Sequence, residues 1–153
     1  MIYSIIKKSQ LEGALRLDAE YYQPEYLEWD KKIKKINYLK FGDLINVLTD
    51  YTANGSFAGL KKNVNVSDEV DFAKWIRIQN LDREDFEDSI RYVDEKSYNF
   101  LKKSSLLGGE LLISKTGEYL GRAYSMPKLS ERSTLADNIF LIHLKDDSLK
   151  EFI

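Results

Sequence analysis

Apolar and polar positions along the chain follow two different rhythms. In "EYLEWDKKIKKI", the stretch after Pro24, the residues Tyr26, Trp29, Ile33 and Ile36 recur three or four positions apart, the period of one helical face. Pro24 suits the first turn of that helix, and Glu28 with Lys32 and Asp30 with Lys34 place opposite charges at the i,i+4 spacing. A second helix is predicted for "DEKSYNFLKKS", opening at Asp94 as its cap and ending before Gly108 and Gly109. Alternation with period two marks the strands. "KWIRIQNL" sets Ile76 and Ile78 against Trp75, Arg77 and Gln79, and "IRYV", "ELLIS", "RAYSM" and "NIFLIHL" complete the set. In the last of these, His143 shares a side with Ile139 and Leu141, the position of a partly buried structural histidine. These elements predict an α+β fold, a curved and mainly antiparallel sheet with a few helices, in a single domain over residues 1–147. The closing "SLKEFI" pairs Ser148 with Glu151 three positions on, a capping-box pattern that predicts a helix beginning over residues 148–153.

Composition narrows the chemistry. At 153 residues, with 43% hydrophobic residues and two prolines, the chain has the makings of one ordered core. The absence of cysteine excludes disulfides, thiolate metal sites and a cysteine nucleophile. A single histidine removes the usual histidine-rich metal sites. No apolar run approaches the roughly 18 residues of a membrane span. The opening "MIYSIIKKSQLEG" has its lysines after the apolar patch, the reverse of a secretory signal. A cytoplasmic location with no membrane partner is expected. The net charge of −2 hides a segregation: residues 68–95 carry ten acids against four bases, a net of −6, and residues 96–132 carry seven bases against three acids, a net of +4. A local basic face is therefore compatible with the acidic average.

No stretch has the makings of an active site. "GELLISKT" mimics a phosphate-binding loop, but Ser114 replaces its second glycine and the apolar "ELLI" lies inside the motif, where the backbone has to wrap a phosphate. The acids of "DREDFED" have no histidine and no ligand spacing. The expectation is a noncatalytic protein without metal or cofactor of its own. Two polar segments stand out instead. Residues 50–62 combine an Asn-Gly turn signal with Tyr51 and Phe57, aromatics that can stack or wedge, the hydrogen-bonding Thr52, Asn54 and Ser56, and the cations Lys61 and Lys62. "SKTGEYLGRA" is a glycine-bracketed turn that projects Lys115, Thr116, Tyr119 and Arg122. Side chains of these types read base edges in the major groove and fix phosphates.

The order "RLDAEYYQPEY", "TDYTANGSFAGLKKNV", "WIRIQNL", "YVDEKSYNFLKKSSLLGGELLISKTGEYLGRA", "PK" and "LADNIFLI" resembles the target recognition domain of type I restriction-modification specificity subunits. The likeness spans roughly residues 16–144 and is most distinctive over residues 92–121, where Glu110 stands in place of the aspartate common in that family. The resemblance implies a subunit without chemistry of its own. Each recognition domain reads one half of a split site in double-stranded DNA, and long spacer helices separate two such domains and dock the methyltransferase (modification) subunits. The complex methylates adenine or recruits a translocating restriction subunit, so S-adenosylmethionine, ATP and Mg are implied for partner subunits alone. On this resemblance the DNA contacts fall on residues 50–62, on residues 115–122 and on the polar side of "WIRIQNL", which adds Arg77, Gln79 and Asn80. The chain matches one domain of the two in a full subunit, so a fragment that works with a second recognition domain is expected, and residues 148–153 become the start of a truncated spacer helix. A different reading starts from the acidic residues 68–95: an interaction module or decoy that engages the modification subunit without reading DNA.

Overall fold

The computed structural model describes residues 3–11 and 17–153. Contacts divide the chain into two compact units, Met1–Lys40 and Phe41–Ile153, where the sequence reads as a single domain. The smaller unit contains helix α1, Pro24–Ile33, with Pro24 in its first turn. The expected ion pairs form, Glu28 with Lys32 at 2.8 Å and Asp30 with Lys34 at 2.7 Å. None of its ten residues is buried: the apolar periodicity makes a helix, and Tyr26, Trp29 and Ile33 remain about half exposed on it.

The larger unit, which opens on the short helix α2 (Phe41–Leu44), is α+β, as expected, but holds two sheets in place of one. In the first, β1 (Ile45–Asp50), β9 (Ile139–Leu144), β6 (Leu111–Ser114) and β7 (Ala123–Ser125) lie in that order, all antiparallel. In the second the order is β2 (Val66–Ser67), β4 (Arg91–Val93), β3 (Ala73–Ile76), β8 (Ser133–Leu135) and β5 (Ser105–Leu106), antiparallel apart from the parallel pair β3 and β8. Ile76 and Leu135 from the second sheet meet Leu112, Ile139 and Leu141 from the first in one core cluster. Burial of each such aliphatic side chain contributes about 1.5–3 kcal/mol. His143 is half-buried on β9, as its place in the alternation requires.

Several elements end where a side chain intervenes. The strand read as "KWIRIQNL" stops at Ile76, and α4 (Ile78–Leu81) follows. Asn80 causes the switch: its carbonyl accepts from the Arg77 N–H at 3.1 Å and its amide donates to the Asp88 carbonyl at 3.0 Å. All four residues of β3 are buried, Lys74 included, and that ammonium is held by Glu87 at 2.6 Å and Glu131 at 2.8 Å. The second predicted helix is α5 (Glu95–Phe100), capped by Asp94 as expected, with its carboxylate accepting from Ser97 N–H at 2.7 Å. It ends sooner than predicted because residues 105–106 are drawn into pairing with β8. At the C-terminus Asp146, not Ser148, accepts from the Ser148 N–H at 2.9 Å, and the turn over Asp147–Phe152 is 3-10 rather than α. An aspartate two residues ahead wins the local hydrogen bond.

The turn that enters β6 is built around Glu110 and Gly108. The Glu110 carboxylate, 3% exposed, accepts from the N–H groups of Leu107 at 2.6 Å and Gly108 at 2.9 Å. Gly108 has φ +98°, and a Cβ there would stand 2.9 Å from the backbone of residues 127–129, so only glycine fits. Glu110→Ala is expected to lower unfolding free energy by about 1.5–3 kcal/mol, the range for hydrogen bonds to a charged group, and Gly108→Ala to destabilise as well. Urea titrations check this; a wild-type midpoint in either variant contradicts it.

Candidate nucleic-acid interface

Residues 50–62, expected as a polar loop, are folded on themselves. A 3-10 turn spans Tyr51–Asn54, and helix α3 spans Phe57–Asn63. The Asp50 carboxylate starts the turn by accepting from Ala53 N–H at 2.9 Å and from Thr52 Oγ1 at 2.7 Å. Ser56 caps α3 through Gly59 N–H at 3.2 Å. Asn54 is committed at both ends: its amide donates to the Tyr51 carbonyl at 3.0 Å and to Ser104 Oγ at 2.9 Å, and its oxygen accepts from Lys103 N–H at 2.9 Å. The sequence casts Asn54 as a base reader; the structure makes it the brace between this turn and residues 102–104. Gly55 is exposed but lies against Phe100, which stands 3.3 Å from where its Cβ would be. Tyr51 sets its ring edge-on to Trp75 at 5.2 Å. Burial, then the charge of Asp137, pushes its phenol above the ordinary value. Phe57 is 84% exposed, and Lys61 and Lys62 are exposed in the last turn of α3, where the helix dipole favours cations.

The second segment is tied to the first. Lys115 Nζ meets Asp50 Oδ2 at 2.8 Å, with both side chains about 85% covered, and sits 5.2 Å from the centre of the Phe140 ring. The Lys115 N–H donates to the Asn138 carbonyl at 2.9 Å. Burial pushes the Asp50 carboxyl up, but the hydrogen bonds from Lys115, Thr52 and Ala53 prevail and hold it below its ordinary value. Arg122 stacks on the Tyr119 ring at 4.9 Å and pairs with Asp82 at 2.7 Å. Asp82 also accepts from the Tyr124 hydroxyl at 3.1 Å.

Beside the second segment lies a cleft of about 330 Å³, which no residue of the first segment lines. Arg77 and Gln79, from the end of β3 and the start of α4, line it together with Thr116 and Tyr119 from the β6–β7 turn. Arg77 donates to the Ser89 carbonyl. The Gln79 amide, with its oxygen turned as hydrogen bonding demands, accepts from both Arg77 terminal nitrogens at 2.9 and 3.0 Å. Burial, and next the like charge of Arg91, lowers the Arg77 pKa. Asn80 does not reach this surface: it is fully buried, its amide spent on the turn.

Four of the thirteen sequence-derived residues therefore share the cleft, and Tyr51, Lys115 and Arg122 contact its lining through Trp75, Asn138 and Tyr119. Lys61, Lys62 and Ser56 belong to α3 or its cap, Thr52 is bound to Asp50, and Asn54 and Asn80 are internal braces. Sequence reasoning missed Asp137 and Asn138, which line the cleft from the turn between β8 and β9; the Asp-Asn pair between two apolar strands is the turn signal that marks them. It also missed Lys103, whose Nζ donates to the Ala53 carbonyl at 2.9 Å. The charge is less positive than expected, because Asp50 and Asp82 already neutralise Lys115 and Arg122.

No protein-family model matches the chain, and no curated protein matches it. Among the described residues, no helix is long and apolar enough to cross a membrane.

A carboxyl held below its ordinary 3.8 stabilises the fold above that pH, and the contribution is lost as pH falls through the lower folded value. Asp50→Asn is expected to cost about 1–3 kcal/mol at pH 7 and to lose stability less steeply than wild type below pH 3.8. Urea midpoints measured from neutral pH downward check both; parallel curves for the two proteins contradict the role given to Asp50.

Proposed function

We propose that the chain is a noncatalytic DNA-reading domain of the type I specificity-subunit kind, which recognises one half of a bipartite site. The observation that carries this reading is the meeting of Arg77, Gln79, Thr116 and Tyr119, from two segments distant in sequence, on one cleft. Arginine, glutamine and threonine at a common opening are the side chains that address base edges. Lys61, Lys62, Lys102 and Lys103, all exposed, supply phosphate contacts that set position rather than sequence. Methylation and cleavage then belong to the modification and restriction subunits with their S-adenosylmethionine, ATP and Mg, and a second recognition domain reads the other half-site.

Because Lys115 and Arg122 are already acid-paired, the isolated chain binds duplexes weakly and with marked salt dependence. With about four phosphates neutralised, log K falls against log salt with a slope near −4. The double variant Lys61→Ala, Lys62→Ala is expected to weaken every duplex alike and flatten that slope by about 2. Fluorescence anisotropy across a salt series measures it; an unchanged slope removes these lysines from the phosphate grip.

The exposed acids Glu84, Asp85 and Asp88 favour a second reading, a module or decoy that docks on the modification subunit. Co-purification with that subunit and no retention on DNA at low salt would select it.

A further inference from the structure

Arg77 differs from its neighbours in how its charge is met. Arg83 pairs with Asp88, Arg91 with Asp68 at 2.7 Å, and Arg122 with Asp82 at 2.7 Å. Among the described residues, the hydrogen-bond partners of Arg77 are neutral, the Ser89 carbonyl and the Gln79 amide, and Asp68 acts on it only through its charge. Its Nε is buried without an acceptor. Among the described residues that line the cleft it is the one cation. A guanidinium carries five N–H donors; here Ser89 and the Gln79 oxygen take three of the terminal ones, one is left over, and the charge lining the cleft has no ion-pair partner, so a better acceptor can draw the terminal donors from the neutral Gln79 oxygen. Desolvating such a charge is unfavourable unless a ligand supplies acceptors.

The rest of the lining restricts what that ligand is. Glu118 and Asp137 face the same space, so a phosphate would meet two carboxylates along with one arginine. A ligand suited to the cleft offers acceptors to Arg77 and a donor to a carboxylate within one planar edge. In the major groove a G·C pair has that pattern: guanine presents O6 and N7 as adjacent acceptors, and cytosine presents its N4 amino group. An A·T pair lacks the two adjacent acceptors that a guanidinium fork engages.

We propose that the cleft is the subsite for a single G·C base pair, with Arg77 donating to guanine O6 and N7 and Asp137 accepting from the cytosine N4 amino group. The assignment rests on the DNA-reading function proposed above and gives it a base identity and a new participant, Asp137. Gln79, whose oxygen accepts from both terminal nitrogens in this structure, yields them to the guanine.

Selection from a pool of random-sequence duplexes by the purified full chain at low salt, followed by sequencing of the bound fraction, tests it. Wild type is expected to enrich sequences with one fixed G·C pair. Arg77→Gln should reduce discrimination at that pair about 10- to 100-fold, the equivalent of one bidentate contact, and leave the other enriched positions in place. Asp137→Asn, on an exposed turn where folding is not at stake, should relax the same pair. An enriched sequence without a fixed G·C pair overturns the inference while DNA reading stands. So does an equal loss on all duplexes from Arg77→Gln, the mark of a phosphate contact, or an unchanged pair in Asp137→Asn. Failure of folded wild-type chain to retain any duplex overturns the inference and the proposed function together.

Discussion

The ion pair between Asp50 and Lys115 is the constraint on which the surface depends. One carboxylate closes the 3-10 turn at the end of β1 and also holds the lysine at the end of β6, so two segments with no sequence proximity are fixed against each other. Both charges are largely shielded from water, and a pair in such surroundings contributes more to placement than to net stability. Thr52 and the Ala53 N–H complete the coordination of Asp50 and hold its pKa below the ordinary value against the upward push of burial. The glycines that the sequence offers as hinges therefore sit in a braced structure.

The cleft follows from how the two sheets end. Beyond β3 and β8, the Ala136 N–H still bonds to the Ile76 carbonyl at 2.8 Å, so the chain leaves the second sheet beside Arg77 and turns through Asp137 and Asn138 into β9 of the first. The Lys115 N–H bonds to Asn138 and brings the β6–β7 turn to the same place. Asn80, fully buried, fixes the exit of β3 from below. The result is an opening whose walls come from three connections, each anchored by backbone hydrogen bonds, with side chains of mixed charge at its rim.

Much of this was legible in the sequence, and the exceptions have identifiable causes. The α+β class, α1 with its ion pairs, the Asp94 cap and strands β4, β6, β7 and β9 follow from period and capping alone. Strand β1 escaped because a register irregularity between Ile45 and Val47 leaves Val47 and Leu48 both exposed and erases the alternation. Strand β8 is three buried residues, Ser-Thr-Leu; its polarity looked like loop, yet Thr134 donates to the Ser104 carbonyl at 3.2 Å. Helix α3 has a single buried anchor, Leu60, too few for a periodic stripe. Within the site, residue type identified Arg77, Gln79, Thr116 and Tyr119, but it could not separate a free amide from a committed one. Asn54 and Asn80 have the composition of readers and the hydrogen bonding of braces, a distinction that only tertiary partners create.

Residues from the β3 exit, the β6–β7 turn and the β8–β9 turn line one cleft, which the proposed function turns toward DNA. The most direct measurement is amide chemical-shift mapping of the chain titrated with duplex DNA at low salt. The account predicts concerted shifts at Arg77, Gln79, Thr116, Tyr119, Asp137 and Asn138, with the internal Asn54 and Asn80 little changed. Shifts confined to the acidic residues 82–89, or none at saturating duplex, would contradict it.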